Sequence, residues 1–158
     1  MKIEQLIQPD RIARDVHTSS KKRALEQLSA LIARSVPELT EEEVFDSLIG
    51  REKLGSTGLG HGVGLPHGRM KGRRHAIGAF VKLDHGVDYD AIDDQPVDLL
   101  FALLVPEEST DEHLQILSEL AEMFANEQFC EKLRHSQNEG QIFDLLIHWY
   151  SDRKSAPA

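Results

Sequence analysis

A histidine set between proline and glycine is a candidate nucleophile. The stretch GSTGLGHGVGLPHGR, residues 55–69, holds six of the eleven glycines of the chain and runs into Pro66-His67-Gly68. Neutral imidazole attacks electrophiles near pH 7, because its unperturbed pKa is about 6.5. Pro66 fixes its own backbone and biases Leu65 toward an extended form. Gly68 lets another molecule approach closely. The three residues together present His67 on a rigid, uncrowded strand end, where a partner can reach a ring nitrogen. Ser56 and Thr57 can offer hydroxyl or backbone donors to an anion, and the surrounding glycines keep side chains out of its way.

Other chemistries of glycine-rich loops fit less well. A P-loop needs Gly-Lys-Ser/Thr at its end, and no lysine lies between Lys53 and Lys71. The dinucleotide pattern G-x-G-x-x-G fails, because its last position falls on Val63 or Leu65. Ser56 is flanked at two residues by Leu54 and Gly58, so it is no nucleophile elbow. His61 and His67 lie six apart with no acidic or cysteine ligand between them, which is not a metal-binding spacing. A plain set of tight turns would account for the glycines, but not for Pro-His-Gly.

Two further residues have both ordinary and chemical readings. Arg51 complements the dipole near a helix C-terminus, or clamps anionic oxygens with its planar fork. His113 is an exposed first-turn histidine, or a donor at a helix N-terminus where free N–H groups welcome an anion.

These residues need elements to hold them. Ala24, Leu25, Leu28, Leu31 and Ile32 recur at helical spacing and predict a helix over 20–35, stopped by Pro37. Thr40 and Glu43 have capping-box spacing and start a second helix with the stripe Val44, Phe45, Leu48 and Ile49. Gly50 weakens that helix and Gly55 can end it. Ala76 to Leu83 reads as a strand. Val97 to Val105 is almost continuously apolar and closed by Pro106, the pattern of a central strand covered on both faces. Asp93 and Asp94 before it suit a turn. Ser109 and Glu112 repeat the capping-box spacing ahead of a stripe of Leu114, Leu117, Leu120, Ala121 and Phe124, to about residue 126. Shorter helices are expected over 127–135 and 139–150. Trp149 and Tyr150 should cover one end of the core, and residues 151–158 should fray. The expectation is one α/β domain over 1–158, a central mixed sheet with helices on both faces.

Composition narrows the function further. The chain has 158 residues, enough for a sizeable core, and is 40% hydrophobic and 28% charged, an ordinary globular balance. A net charge of -9 speaks against general nucleic-acid binding and against docking on anionic lipid. The single cysteine, Cys130, sits between Phe129 and Leu133 in a helical pattern and reads as a packed thiol. No stretch approaches the ~20 apolar residues of a membrane span, and MKIEQLIQPDR lacks a leader pattern, so a cytoplasmic location is expected. His17, His75, His85, His135 and His148 show no partner pattern and read as surface or structural residues.

REKLGSTGLGHGVGLPHGR, residues 51–69, resembles the active-site region of the enzyme IIA proteins of the bacterial phosphoenolpyruvate-dependent sugar phosphotransferase system, in the fructose–mannitol class. DAIDDQPVDLLFALLVPEEST, residues 90–110, and SSKKRALEQLS near the start resemble the nitrogen-regulatory branch of that family. The resemblance spans nearly the whole chain and implies the mannitol-type enzyme IIA fold. It implies that His67 accepts a phosphoryl group, usually on Nε2, from a phosphohistidine of the carrier HPr or its nitrogen-branch counterpart. His113 and Arg51 then belong to the same pocket, Ser56, Thr57 and Gly68 line the phosphoryl group, and His61 sits at a variable position, often Asn, with no role. The donor protein brings the group, so no cofactor or metal is expected. The implied output is regulation of partners such as potassium transporters or sensor kinases, since the sequence shows no IIB module or membrane domain. A sugar-transport enzyme IIA serving a separate IIB protein, and a non-catalytic binding module, remain as alternatives.

Overall fold

The computed structural model describes residues 3–108 and 111–155, with the side chains of 112 and 150–155 outside that description. Two 3-10 turns, Ile3–Gln5 and Pro9–Arg11, lead into strand β1 (Ile12–Val16). Helices α1 (Lys21–Ser35) and α2 (Glu41–Glu52) follow, then three short strands, β2 (Gly58–Gly60), β3 (Val63–Gly64) and β4 (His67–Met70). The long strands β5 (Ile77–Val87) and β6 (Val97–Pro106) precede helices α3 (Asp111–Ala125), α4 (Glu127–Arg134) and α5 (Glu139–Ser155).

The six strands make one mixed sheet in the order β1-β5-β6-β3-β2, with β4 also paired to β6. β5 and β6 are antiparallel, while β1 runs parallel to β5 and both β3 and β4 run parallel to β6. Strand alternation sends Leu100, Ala102 and Leu104 of β6 to one face, where α1 and α2 pack with Leu25, Leu28, Ile32, Val44 and Leu48. Leu99, Phe101, Leu103 and Val105 go to the other, against Ile116, Leu120 and Phe124 of α3 and Leu133, Ile142 and Leu146 of α4 and α5. Every residue of β6 except Asp98 is buried, which is why its sequence is an apolar run rather than an alternation.

Local signals set the helix ends. Ser20 caps α1 by accepting from Arg23 N at 3.1 Å. Thr40 caps α2 by accepting from Glu43 N at 3.1 Å and donates its hydroxyl to the Glu43 carboxylate at 3.0 Å. Asn126 caps α4 through Phe129 N. Cys130 is buried, its thiol donating to Phe124 O and pushed up to about 11 by burial, in keeping with a packed residue.

Several expectations are corrected. β1 was not foreseen, and β5 continues to Val87, four residues past Leu83. α5 runs to Ser155, five residues past the expected end at 150 and into the stretch expected to fray. The apolar stripe of α3 is turned from the expected one: His113, Ile116, Leu120, Met123 and Phe124 face inward, while Leu114 is 62% exposed. An apolar-rich helix offers two overlapping stripes at spacings of three and four, and packing against Phe80 and Phe101 selects between them. The proposed Ser109 cap and the Tyr150 side chain lie outside the described residues. Trp149 does pack as expected, its ring centroid 5.0 Å from that of Phe129. Among the described residues no helix is long and apolar enough to cross a membrane.

Candidate functional site

The strand that carries His67 is an interrupted one. Val63, Gly64, His67, Gly68, Arg69 and Met70 pair with Leu99, Leu100, Leu103, Leu104, Val105 and Pro106 at one constant offset. β3 and β4 are therefore a single extended line along β6, broken where Pro66 has no N–H to give. The Pro66 carbonyl still accepts from Leu103 N at 2.9 Å, and Leu65 N donates to Thr57 O at 3.0 Å, so the break is held on both sides. His67 begins β4 on this pinned line, as a strand-end histidine should.

Its ring is oriented by its own backbone. His67 Nδ1 lies 2.9 Å from the carbonyl of Leu65. A carbonyl only accepts, so Nδ1 carries the proton and the lone pair belongs to Nε2. Burial lowers the pKa of the ring, the bond to Leu65 opposes that, and the nearby charge of Arg51 lowers it further against a raising effect of Glu52. The neutral form is thus held to lower pH than in a free imidazole. An NMR titration should find the His67 midpoint below 6.5, its ordinary value. The linked stability has a definite sign. The unfolded chain protonates first, so the contribution of His67 is complete above 6.5 and is lost as pH falls through the lowered midpoint.

The other expected residues separate into two groups. Arg51, near the end of α2, donates from Nη1 to Gly55 O at 2.8 Å, and its charge is felt at His67. His113 is the third residue of α3 and is buried, not exposed. By alternation His67 shares the sheet face of Val63 and Leu65, which pack in one cluster with Ile116, one helical turn beyond His113. Arg51 on α2 thus acts on His67 by charge, and α3, with His113 in its first turn, covers the sheet face that His67 shares.

Ser56, Thr57 and Gly68 have other occupations. The Ser56 hydroxyl donates to Tyr89 O at 3.0 Å and accepts from Gly58 N. Thr57 is buried, and both its N–H and its hydroxyl donate to the Glu52 carboxylate. In this structure both hydroxyls thus donate to groups of the protein itself. A Cβ on Gly68 would lie 2.2 Å from Ser47 Oγ and 2.8 Å from Ser47 O, so this glycine admits α2 to the sheet rather than a ligand to the backbone.

A buried polar cluster behind the loop went unread in the sequence. The carboxylate of Glu52 pairs with Lys21 Nζ at 2.7 Å, receives the two Thr57 donors, and accepts from Tyr89 OH at 3.2 Å. Lys21 Nζ also stands 4.4 Å above the centroid of the Tyr89 ring. Burial, then the Glu52 charge, raises the Tyr89 pKa and keeps the phenol protonated as a donor. The only sequence signal is the odd one of an acid at the end of a helix, where the dipole disfavours it.

Gly62 serves the turn of the stretch. His61 and Gly62 link β2 to β3 with φ of 56° and 83°, the pairing of a type I′ hairpin turn. Asp93 accepts from His61 N at 2.9 Å, Arg134 donates to His61 O at 2.9 Å, and Asp98 N and Leu99 N both donate to Gly62 O. Arg134 is itself held by a two-point bond to Asp98, at 2.9 Å on each oxygen. Gly62→Ala would force a left-handed residue and set its Cβ 2.6 Å from Arg134 Nη2 and 2.9 Å from Asp98 Oδ1. The expected loss is about 1–3 kcal/mol in a urea unfolding titration.

Comparison with known proteins now bears on this geometry. Residues 5–149 match the family described as "Phosphoenolpyruvate-dependent sugar phosphotransferase system, EIIA 2". A nitrogen regulatory protein of Pseudomonas aeruginosa is 42% identical over 147 residues, 93% of this chain and 96% of that protein. The crystal structure of the nitrogen regulatory protein IIA-Ntr from Neisseria meningitidis superposes with a TM-score of 0.86 at 42% identity, covering 91% of this chain and 98% of that one. The crystal structure of IIA mannitol from Escherichia coli shares the fold alone, with a TM-score of 0.74 at 22% identity over 89% of this chain and 98% of its own. The fold is thus the expected mannitol-type one, and the chain belongs to the EIIA 2 family as an enzyme IIA, a phosphotransferase component of that system.

Proposed function

We propose that Nε2 of His67 accepts a phosphoryl group from the phosphohistidine of an HPr-like carrier, and that the phosphorylation state governs which regulatory proteins the chain binds. The observation that carries this is the Nδ1–Leu65 bond, which leaves a neutral ring with its lone pair on Nε2. In the transfer, Nε2 forms the new P–N bond as the P–N bond of the donor breaks, and the donor imidazole leaves as the nucleophile of its own next cycle. Charge spreads over the three equatorial oxygens. In this reading Arg51 and His113 receive it, a role supported by the Arg51 charge felt at His67 and by the position of His113 in the first turn of α3. The Gly55 bond fixes the direction of the guanidinium while leaving it further N–H donors.

A protein donor suits the surroundings. Leu54, Leu59 and Ile92 are exposed by 83%, 38% and 86%. Gly58 lies against Ala91, which brings the segments of Leu59 and Ile92 side by side. Exposed apolar residues, two of them in the loop and hairpin that lead to His67, fit a macromolecular face better than a small-molecule pocket. A cavity of about 650 Å3 lies elsewhere, between α4 and α5, lined by residues including Lys132, His135 and His148. Similarity to nitrogen regulatory proteins supports a regulatory output. A phosphoryl group adds about -1.5 to -2 charges by analogy with other phosphorylated side chains, enough to change which surface fits this face.

The test is an intact-mass spectrum after incubation with phosphoenolpyruvate, enzyme I and an HPr-type carrier. A single acid-labile phosphoryl addition is expected. No addition with either HPr or its nitrogen-branch paralogue, while the same relay charges a known acceptor, would overturn the proposal.

A further inference from the structure

His17, Asp84 and His85 converge at the far end of the sheet from His67. Their closeness follows from strand register. β1 and β5 are parallel, and Val16 pairs with Leu83, so the next residue on each strand is His17 or Asp84. His85 follows directly. His67 pairs with Leu103 and Gly78 pairs with the same Leu103 from the other side. Asp84 is six residues further along β5 than Gly78, about 20 Å at the usual strand rise of ~3.3 Å per residue. The cluster is therefore separate from the phosphoryl site.

We infer that these three side chains form a binding site for Zn2+ or a related divalent transition metal. His17 Nδ1 and His85 Nδ1 each lie 3.4 Å from the same oxygen, Asp84 Oδ1. One candidate ligand atom from each of the three residues lies within 4.8 Å of the other two. Ligands at about 2.0–2.1 Å from a tetrahedral zinc stand roughly 3.3 Å apart, so two edges of the site already have the required length. Two imidazoles and one carboxylate choose borderline metals such as Zn2+, Co2+, Ni2+ or Cu2+ over Mg2+ or Ca2+, which prefer oxygen alone. His17 and His85 are 77% and 82% exposed, so bulk metal can enter and water completes the shell. The site lies in an irregular stretch of β5 between Lys82 and Val87; Val87 pairs with Val97 just beyond it, and Gly86 packs so closely on Pro96 that a Cβ would lie 2.7 Å from it. Elsewhere His61 with Glu127 and His135 with Glu131 offer only one imidazole and one carboxylate each.

The experiment is calorimetric titration of the full chain with Zn2+, beside His17→Ala, His85→Ala and the double variant, with His61→Ala and His135→Ala as controls. Both target histidines are exposed, so their removal should leave the melting curve of the metal-free protein in place. One Zn2+ per chain is expected, with affinity unchanged in the controls. Loss of either ligand should weaken it by at least the roughly 10–100-fold that losing an outer-shell partner costs. Nitrogen NMR shifts of the His17 and His85 rings should move on saturation. Absence of saturable uptake overturns the inference, as does Zn2+ binding that survives the double variant.

Discussion

His67→Ala should leave the protein folded and unable to take up a phosphoryl group. The expected intact-mass spectrum shows no addition at any time, where the wild type is charged to completion. The fold should tolerate the change because β4 is held by its backbone: its pairing with β6 and the Pro66 carbonyl bond do not use the imidazole. Among the described residues the side chain makes one hydrogen bond, to Leu65 O, so the stability cost should be about 1 kcal/mol. Arg51→Ala provides the contrasting result. It removes charge stabilisation but keeps the nucleophile, so acceptance should slow by about 10²–10³-fold rather than vanish. Its His67 midpoint should also rise, because the Arg51 charge is one of the effects holding that midpoint down. A His67→Ala protein that still gains an acid-labile phosphoryl group would move the acceptor elsewhere and end this assignment.

The sequence made the helices of the first half and the central strand legible for local reasons. Ser20 and Thr40 are residues whose side chains bond their own third-following amides, whatever the rest of the chain does. β6 is apolar at almost every position because both its faces are covered. β1 escaped because IARDV lacks clean alternation and carries Asp15 at φ 56°, within an irregular register against β5. The polar end of β5, Asp84-His85-Gly86, reads as a loop, yet the strand continues through it. The strand-end position of His67 was legible because proline and glycine act on their immediate neighbours. The partners of Ser56 and Gly68, Tyr89 and Ser47, are distant in the chain and reach them only through the fold, while the Glu52–Thr57 bond, though only five residues long, follows no regular helix or capping spacing. The His17–Asp84 pairing spans 67 residues and is a product of strand register, which no local pattern encodes.

Glu52→Ala should be the most destabilising single change in the loop region, although Glu52 touches no reacting atom. Its carboxylate is the shared acceptor for Lys21, Thr57 and Tyr89, and its side chain is 2% exposed. Removing it strands an ammonium that is only 18% exposed, together with a buried hydroxyl and a buried amide. Breaking one partner of such a pair costs about 3–5 kcal/mol, because the other charge stays desolvated and unpaired. Urea unfolding should show that loss as a lower midpoint with an unchanged slope. Glu52→Gln separates charge from shape. The amide keeps an oxygen for Tyr89 and Thr57 but gives Lys21 no counter-charge, so its loss should be smaller. It also carries a signature that destabilisation alone would not produce. The Glu52 charge raises the His67 pKa, so neutralising it should shift the His67 titration midpoint further down. An unmoved midpoint would separate the cluster from the nucleophile and leave Glu52 a purely structural residue. A downward shift would mean that the buried carboxylate helps set the protonation of the ring on β4.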